Sequence, residues 1–419
     1  MKAGAIILML LPSALHAAVY EVGPGKPLAS PDQVPWEKLE AGDEVRIHWR
    51  PDPYPSKWVL CRQGTQAKPI IVRGVSGPKG QQPVIDGNKA KTRKELNYWA
   101  DERSIIKIGG SSRPSDTDPA YITIENLEIR GARKSRHFTD DKGRRTAYTH
   151  HAAAIYIEKG HHISIRDCTL MDNGNGLMSS HRASHILVER CHIHSNGNPG
   201  SIYHHNVYTE SLDITFRDNR LCPLVKDARG NNLKDRSAGL KVMENTIYGG
   251  NRQLDLVDAE DSEFLRKHPS YRQTIVQGNL LIERAGDGNN QIIHFGGDSG
   301  KNQWYRRELV FSDNTVLTFR TDNTTLFRMA GKAQHALCTG NLFHHSANPV
   351  KGMWTLLAGH GRIELVNNQL TGRWRKAIGL NNSITINGNQ PFLPGIPYKR
   401  KLAQATLPFH LKPCEHHKH

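Results

Sequence analysis

Residues Ile122–Ile129 read I-T-I-E-N-L-E-I: an alternating apolar run, an acidic residue, an asparagine and a second short apolar run. The pattern returns as I-S-I-R-D-C-T-L ending at Leu170, I-L-V-E-R-C-H-I ending at Ile193, I-T-F-R-D-N-R-L ending at Leu221 and L-K-V-M-E-N-T-I ending at Ile247. T-I-V-Q-G-N-L-L, L-V-F-S-D-N-T-V, A-L-C-T-G-N-L-F and I-E-L-V-N-N-Q-L follow, and I-T-I-N-G-N closes the series at Ile384 to Asn389. Apolar residues at every second position are the period of a strand, not of a helix. Successive copies lie about 21 to 42 residues apart, the span expected of stacked repeat coils. Strands this short cannot bury a core alone, so each must pair with the coils above and below. The asparagine column is Asn126, Asn219, Asn245, Asn279, Asn314, Asn341, Asn368 and Asn389, with Cys168 and Cys191 standing in. An inward asparagine at a tight bend bonds backbone groups and its stacked neighbours, which satisfies polar groups in the core.

Such ladders resemble those of the pectate-lyase-like superfamily of secreted proteins. The entry segment adds to the likeness. Gly64 to Gly74 read G-T-Q-A-K-P-I-I-V-R-G, and Pro83 to Gly87 read P-V-I-D-G, similar to the first coils of chondroitinase-B-type and alginate lyases. The resemblance runs from about Val19 to Asn389. It implies an all-β, right-handed parallel β-helix with an asparagine ladder, acting on a polysaccharide. The superfamily also holds hydrolases, epimerases and adhesins, so fold alone does not name the reaction.

Lysine and arginine number 56 against 40 acidic residues, a formal net charge of +16. That excess favours a polyanionic partner. Lys2 followed by an apolar core from Ala5 to Leu15, with small residues at Ala14, Ala17 and Ala18, reads as a cleaved secretory peptide. The expected organisation is therefore a leader at 1–17, a β-helix domain at 18–395 and a tail at 396–419. Export to the periplasm or beyond makes an acidic polysaccharide the expected partner, not nucleic acid. No later run is long and apolar enough to span a membrane, and a monomer is expected. Cys61, Cys168, Cys191, Cys222, Cys338 and Cys414 contain no C-x-x-C pair.

The strand after each asparagine turn can be laid over its neighbours: A-I-Y-I-E around Tyr156, G-L-M-S-S around Met178, N-V-Y-T-E around Tyr208, N-L-K-D-R around Lys234 and Q-L-D-L-V-D around Asp255. I-I-H-F-G around His294 and T-L-F-R-M around Arg328 continue the series. Alternation puts Ile155, Leu177, Val207, Leu233, Leu254 and Leu326 inside. Tyr156, Tyr208, Lys234 and Asp255 then point out in one column, which His294 and Arg328 join if the register slips by one. His205, Arg236 and Asp258 fall at its edge. The expected groove holds Tyr208, Lys234, Arg236 and Asp255, with His205 beside them; Tyr156, Asp258, His294 and Arg328 are expected to bind substrate.

A uronate lyase needs a cation for the sugar carboxylate, a base for the C5 proton and an acid for the leaving oxygen. Lys234 and Arg236 fit base and clamp in either assignment, and Tyr208 or His205 fits the acid. Lys234 to Ile247 resembles the chondroitinase-B-type segment that opens on the catalytic lysine, which implies Lys234 as base. Those lyases carry an arginine one coil later, where this chain reads R-Q-L-D-L-V-D-A-E-D, so Arg252 or Arg328 must stand in. The acids Asp255, Asp258, Glu260 and Asp261 also suit Ca2+. Alternatively, Asp255 with Asp258 or Asp261 suits a glycosidase pair. A glycan-binding protein without turnover is the third reading. The paired histidines at 150–151, 161–162 and 204–205 should point to opposite sides of a strand and so share no metal. The basic insertion after Arg130, carrying Arg133, Lys134, Arg136, Arg144 and Arg145, is expected to line an anionic groove, and a second insertion spans Ala259 to Arg272.

Overall fold

The computed structural model describes residues 17–345, 353–370, 374–378, 383–388 and 390–391. Residues 1–16 of the expected leader, Asn389, Cys414 and the expected tail lie outside the described residues. The chain is a right-handed parallel β-helix. Its repeats run from Val19–Val22 to Gln390–Pro391 and pair almost throughout with the preceding and following coil.

Three columns of strands form the walls. One is an 11-stranded sheet from Val84–Asp86 to Gln390–Pro391. The other two merge into a 25-stranded sheet, because Ala153–Arg166 and Asn175–Glu189 turn the corner between them without a break. Inward side chains such as Ile155, Leu177, Val207, Leu233 and Leu254 are fully buried and join one continuous core. Cys61, Cys168, Cys191 and Cys338 are free thiols within it.

The asparagine ladder is real but starts later than expected. Side-chain amides link Asn219 to Asn245 (2.9 Å), Asn245 to Asn279 (3.0 Å), Asn279 to Asn314 (2.9 Å), Asn314 to Asn341 (3.1 Å) and Asn341 to Asn368 (2.8 Å). Cys191 extends it, its N–H donating to Asn219 Oδ1 at 2.9 Å. Asn126 does not belong. It takes the left-handed bend (φ 55°) one residue earlier, bonding outwards to Gly74 O, and Leu127 fills the inward position. The same bend carries Asp167, Asp218, Glu244 and Asp313 at φ 51–59°, and short polar side chains tolerate that conformation best. A second buried run, Asn173–Asn196–Asn206–Asn232, was not foreseen; Asn196 donates to Asn206 at 3.0 Å and Asn206 to Asn232 at 2.5 Å.

The basic insertion builds structure before it lines any groove. It folds as an antiparallel hairpin, His137–Thr139 against Arg145–Ala147. Arg133 is spent on Asp172 and on the carbonyls of Ser195 and Gly197, which staples neighbouring coils together. The second insertion carries a helix, Glu263–Lys267, capped by Ser262 and packed through Leu265 and Tyr271 on Ala238 and Ala259.

Candidate functional site

The strands Val207–Thr209, Leu233–Asp235, Leu254–Leu256, Gln291–Phe295 and Asn323–Met329 stack in register, so that Tyr208, Lys234, Asp255, His294 and Arg328 occupy successive rungs of one outward column. Tyr156 and Met178 continue it towards the amino terminus. No slip is needed for His294 and Arg328: the inward partner of Ile293 is Phe327, not Leu326. The outward register follows from the cores of these strands, since a shift by one residue would bury Lys234 and expose Leu233.

Asp255 is the hub of the column. It is 2 % exposed. Its Oδ2 accepts from Lys234 Nζ at 3.0 Å and Asn231 Nδ2 at 2.7 Å, while His294 Nδ1 bonds Oδ1 at 2.8 Å and Arg252 stands 3.6 Å away. Burial alone would raise this carboxyl, but the His294 hydrogen bond and the Lys234 charge outweigh it and hold Asp255 well below the usual carboxylate range. An anionic Asp255 can only accept, so His294 donates from Nδ1 and Nε2 is the ring nitrogen not used in this bond. One rung further, Arg328 makes no ion pair among the described residues, and its guanidinium lies over Gly359, where an added Cβ would come within 2.6 Å of Nη1.

Lys234 stands between two carboxylates. Its ammonium also meets Asp298 Oδ2 at 2.7 Å. Burial would lower it, yet Asp255 and Asp298 together raise it above the ordinary lysine value. Lys234 is thus a cation that bridges two carboxylates. Arg236 is likewise committed, to Asp298 (3.1 Å), Glu260 (3.2 Å), the Asp258 carbonyl (2.6 Å) and Tyr208 Oη (3.3 Å). With Arg236 donating to Tyr208, the phenol's own hydrogen points elsewhere. His205 packs edge-on to Tyr208, its ring centroid 5.5 Å away. Its Nδ1 accepts from the Asn231 N–H at 2.9 Å, and burial, then Lys234, push it down to about 3. It is therefore neutral with its proton on Nε2, a donor and not a base.

Asp258 does not line the groove. It is fully buried, and its oxygens accept from the Asp298 N–H (2.8 Å) and from Ser299. It anchors the loop that delivers Asp298. The missed residues are Asp298, Asn231 and Arg306. A signal for the first existed in F-G-G-D-S-G: a Cβ on Gly297 would meet the Tyr305 ring at 2.1 Å and Asp258 Oδ1 at 2.6 Å, so only glycine lets this loop close on the strand. Arg306, 1 % exposed, ties the same loop to Asp235 beneath Lys234 at 2.7 Å.

The acids expected for Ca2+ are dispersed among these tasks, and among the described residues no group of three or more His, Cys, Asp or Glu is arranged to hold a metal ion. The argument from strand geometry does not hold for the histidine pairs. His150 and His151 lie in a turn, and His162, at φ 56°, brings its Nδ1 to 2.8 Å from that of His161. No helix among the described residues is long and apolar enough to cross a membrane.

The family described as right handed beta helix region matches residues 104–266. No curated protein sequence matches the chain. Among solved structures, an alginate lyase from Paenibacillus sp. str. FPU-7 superposes with a TM-score of 0.51 at 10 % identity, over 81 % of this chain and 95 % of that one. The Dettilon tailspike protein gives 0.51 at 10 % identity, over 83 % and 60 %. The tailspike of E. coli bacteriophage HK620, in complex with a pentasaccharide, gives 0.50 at 12 % identity, over 84 % and 58 %. Identities this low show a shared fold; the chemistry has to come from the site.

Proposed function

We propose that the groove cleaves a uronate-containing polysaccharide by β-elimination, with His294 moving the proton. The observation that carries this is the 2.8 Å bond between His294 Nδ1 and a carboxylate held anionic, next to an arginine that makes no ion pair among the described residues. The Arg328 guanidinium would pair with the sugar carboxylate and make the C5 proton acidic. His294 Nε2 would take that proton. The C5–H electrons form the C4=C5 double bond, the C4–O4 bond breaks, and the imidazolium returns the proton to the departing O4. Tyr208, set by Arg236 and His205, would hold the neighbouring sugar. The net charge of +16 supports an anionic chain, and export as a monomer belongs to the same proposal.

Hydrolysis by a carboxyl pair has less support. Asp255 is held anionic, Asp258 is sealed, and Asp298, although burial opposes it, is lowered by Lys234. Asp255 and Asp298 are thus poorly set to hold the proton that a leaving oxygen needs, and Asp258 is closed off from a substrate. The test is incubation with alginate, polygalacturonate, chondroitin and heparan-type polymers, read as ultraviolet absorbance of unsaturated ends. His294→Ala should abolish the signal. Reducing ends without absorbance would favour a hydrolase, and bound polymer without any product a binding protein; either result overturns the proposal.

A further inference from the structure

We propose a second, distal site for the same anionic chain at the amino-terminal end of the groove, built from Trp99, Arg103, Tyr156 and Arg182. This rests on the reading that the groove takes a uronate polymer. From His294 the column descends through Asp255, Lys234, Tyr208 and Met178 to Tyr156, five steps of about 4.8 Å, or roughly 24 Å. Lys234 and Asp255 form the charged half of this column; the half towards the amino terminus is apolar, with Tyr156 and Met178 packed together, each 6 % exposed, and Tyr208 against them.

At the far end stands Trp99, 45 % exposed. An exposed indole is ordinarily free to move, but here Nε1 donates to Glu158 Oε1 at 2.6 Å. The ring is held before any ligand arrives, so little side-chain entropy remains to be lost on stacking. Arg103 lies over the Tyr156 ring at 4.9 Å and makes no ion pair among the described residues. Arg182 reaches Glu158 Oε1 at 2.6 Å, but the same carboxylate is also met by the fully buried Lys107 at 2.7 Å. Glu158 is thus outnumbered by cations, and the cluster keeps a positive balance beside a fixed aromatic face. An aromatic plane with guanidinium groups at its edge is the chemistry that recognises an acidic sugar.

A site this far from His294 is reached only by a chain long enough to span the column. Wild-type affinity should therefore rise with chain length, and the rise should vanish when the distal site is removed. The probes are size-fractionated oligouronates from alginate and polygalacturonate, titrated calorimetrically into the His294→Ala protein so that turnover plays no part. Trp99→Ala and Arg103→Ala should each lower affinity for the longest fraction about tenfold and bring it towards that of the shortest. Trp99→Phe, which keeps a ring, should retain most of the length dependence and controls for misfolding. Undiminished length dependence in Trp99→Ala overturns the proposal, as does an equal loss for short and long fractions. Length-dependent binding by a wild-type protein that yields no unsaturated product refutes the elimination reading while leaving this site standing. If neither oligouronate series binds, both fall.

Discussion

Replacing Asp255 by Asn keeps the shape of the hub and removes its charge. An amide at this position can present its NH2 to His294 Nδ1, which must then accept. The ring proton moves to Nε2, where the proposed mechanism needs a lone pair. The same tautomer error in a serine-protease triad lowers turnover about 10⁴-fold, so Asp255→Asn should lose about 10³ to 10⁴ in the rate of unsaturated product. The fold should survive, because Lys234 keeps Asp298 at 2.7 Å and Asn231 can still bond the amide oxygen. Losing one charged hydrogen-bond partner should cost about 1–3 kcal/mol. The assay is initial-rate absorbance beside a thermal melt of the same preparation. A variant that melts cooperatively and stays within tenfold of wild type would refute the claim that Asp255 sets the state of His294.

Lys234→Arg should keep a cation between Asp255 and Asp298, and since a guanidinium cannot act as a base, retained turnover within about tenfold would place Lys234 outside proton transfer; inactivity matching His294→Ala would restore it as the base. Arg306→Ala leaves Asp235 buried without its partner at 2.7 Å and should lower stability by about 3–5 kcal/mol in denaturant melts, whereas a loss below about 1 kcal/mol would show the pair to be dispensable. Asn279→Ala removes the amide that donates to Val242 O at 2.9 Å and to Asn314 and should cost about 2–4 kcal/mol, read the same way. His205 is pushed down to about 3, so between its ordinary value near 6.5 and about 3 the unfolded chain binds a proton that the folded chain refuses. Its contribution to stability therefore falls as pH falls through that window, by about 2 kcal/mol from pH 6.5 to 5. Denaturant melts at both pH values should show that loss shrinking in His205→Gln; an unchanged difference would mean that His205 is not the group concerned.

The column Tyr208–Lys234–Asp255 was legible from the sequence because its inward neighbours alternate strictly, and alternation is a local property. So was the ladder from Asn219 onward. The failure at Asn126 is instructive in the same terms. The repeat carries two adjacent polar positions, one at a left-handed bend and one facing in, and asparagine suits both, so a single strand cannot say which it fills. Only the stacking of Leu127 over Cys168 decides it. The state of Lys234 was illegible for a different reason. Its partners Asp255 and Asp298 are supplied by the next coil and by the loop after the coil beyond, 21 and 64 residues away.

That distance bears on how this fold can change its chemistry. A lone outward lysine one rung from an asparagine turn is compatible with a base; the same lysine under two carboxylates is a fixed cation. In the proposed mechanism what separates the two is the loop after His294, held by Asp258 and Arg306 and permitted by Gly297. If the elimination reading is right, delivery of Asp298 by that loop keeps Lys234 protonated, frees Asp255 to orient His294, and moves the reactive nitrogen two rungs along the helix. The testable consequence is directional. Asp298→Asn should weaken the hold on the Lys234 proton while leaving the His294–Asp255 bond intact, so the rate should fall modestly, about three- to tenfold, with the dependence on His294 unchanged. A double variant Asp298→Asn with His294→Ala that regained measurable turnover would show that Lys234 can serve as a base once unlocked, and would mean that the loop, not the strand, decides which rung does the chemistry.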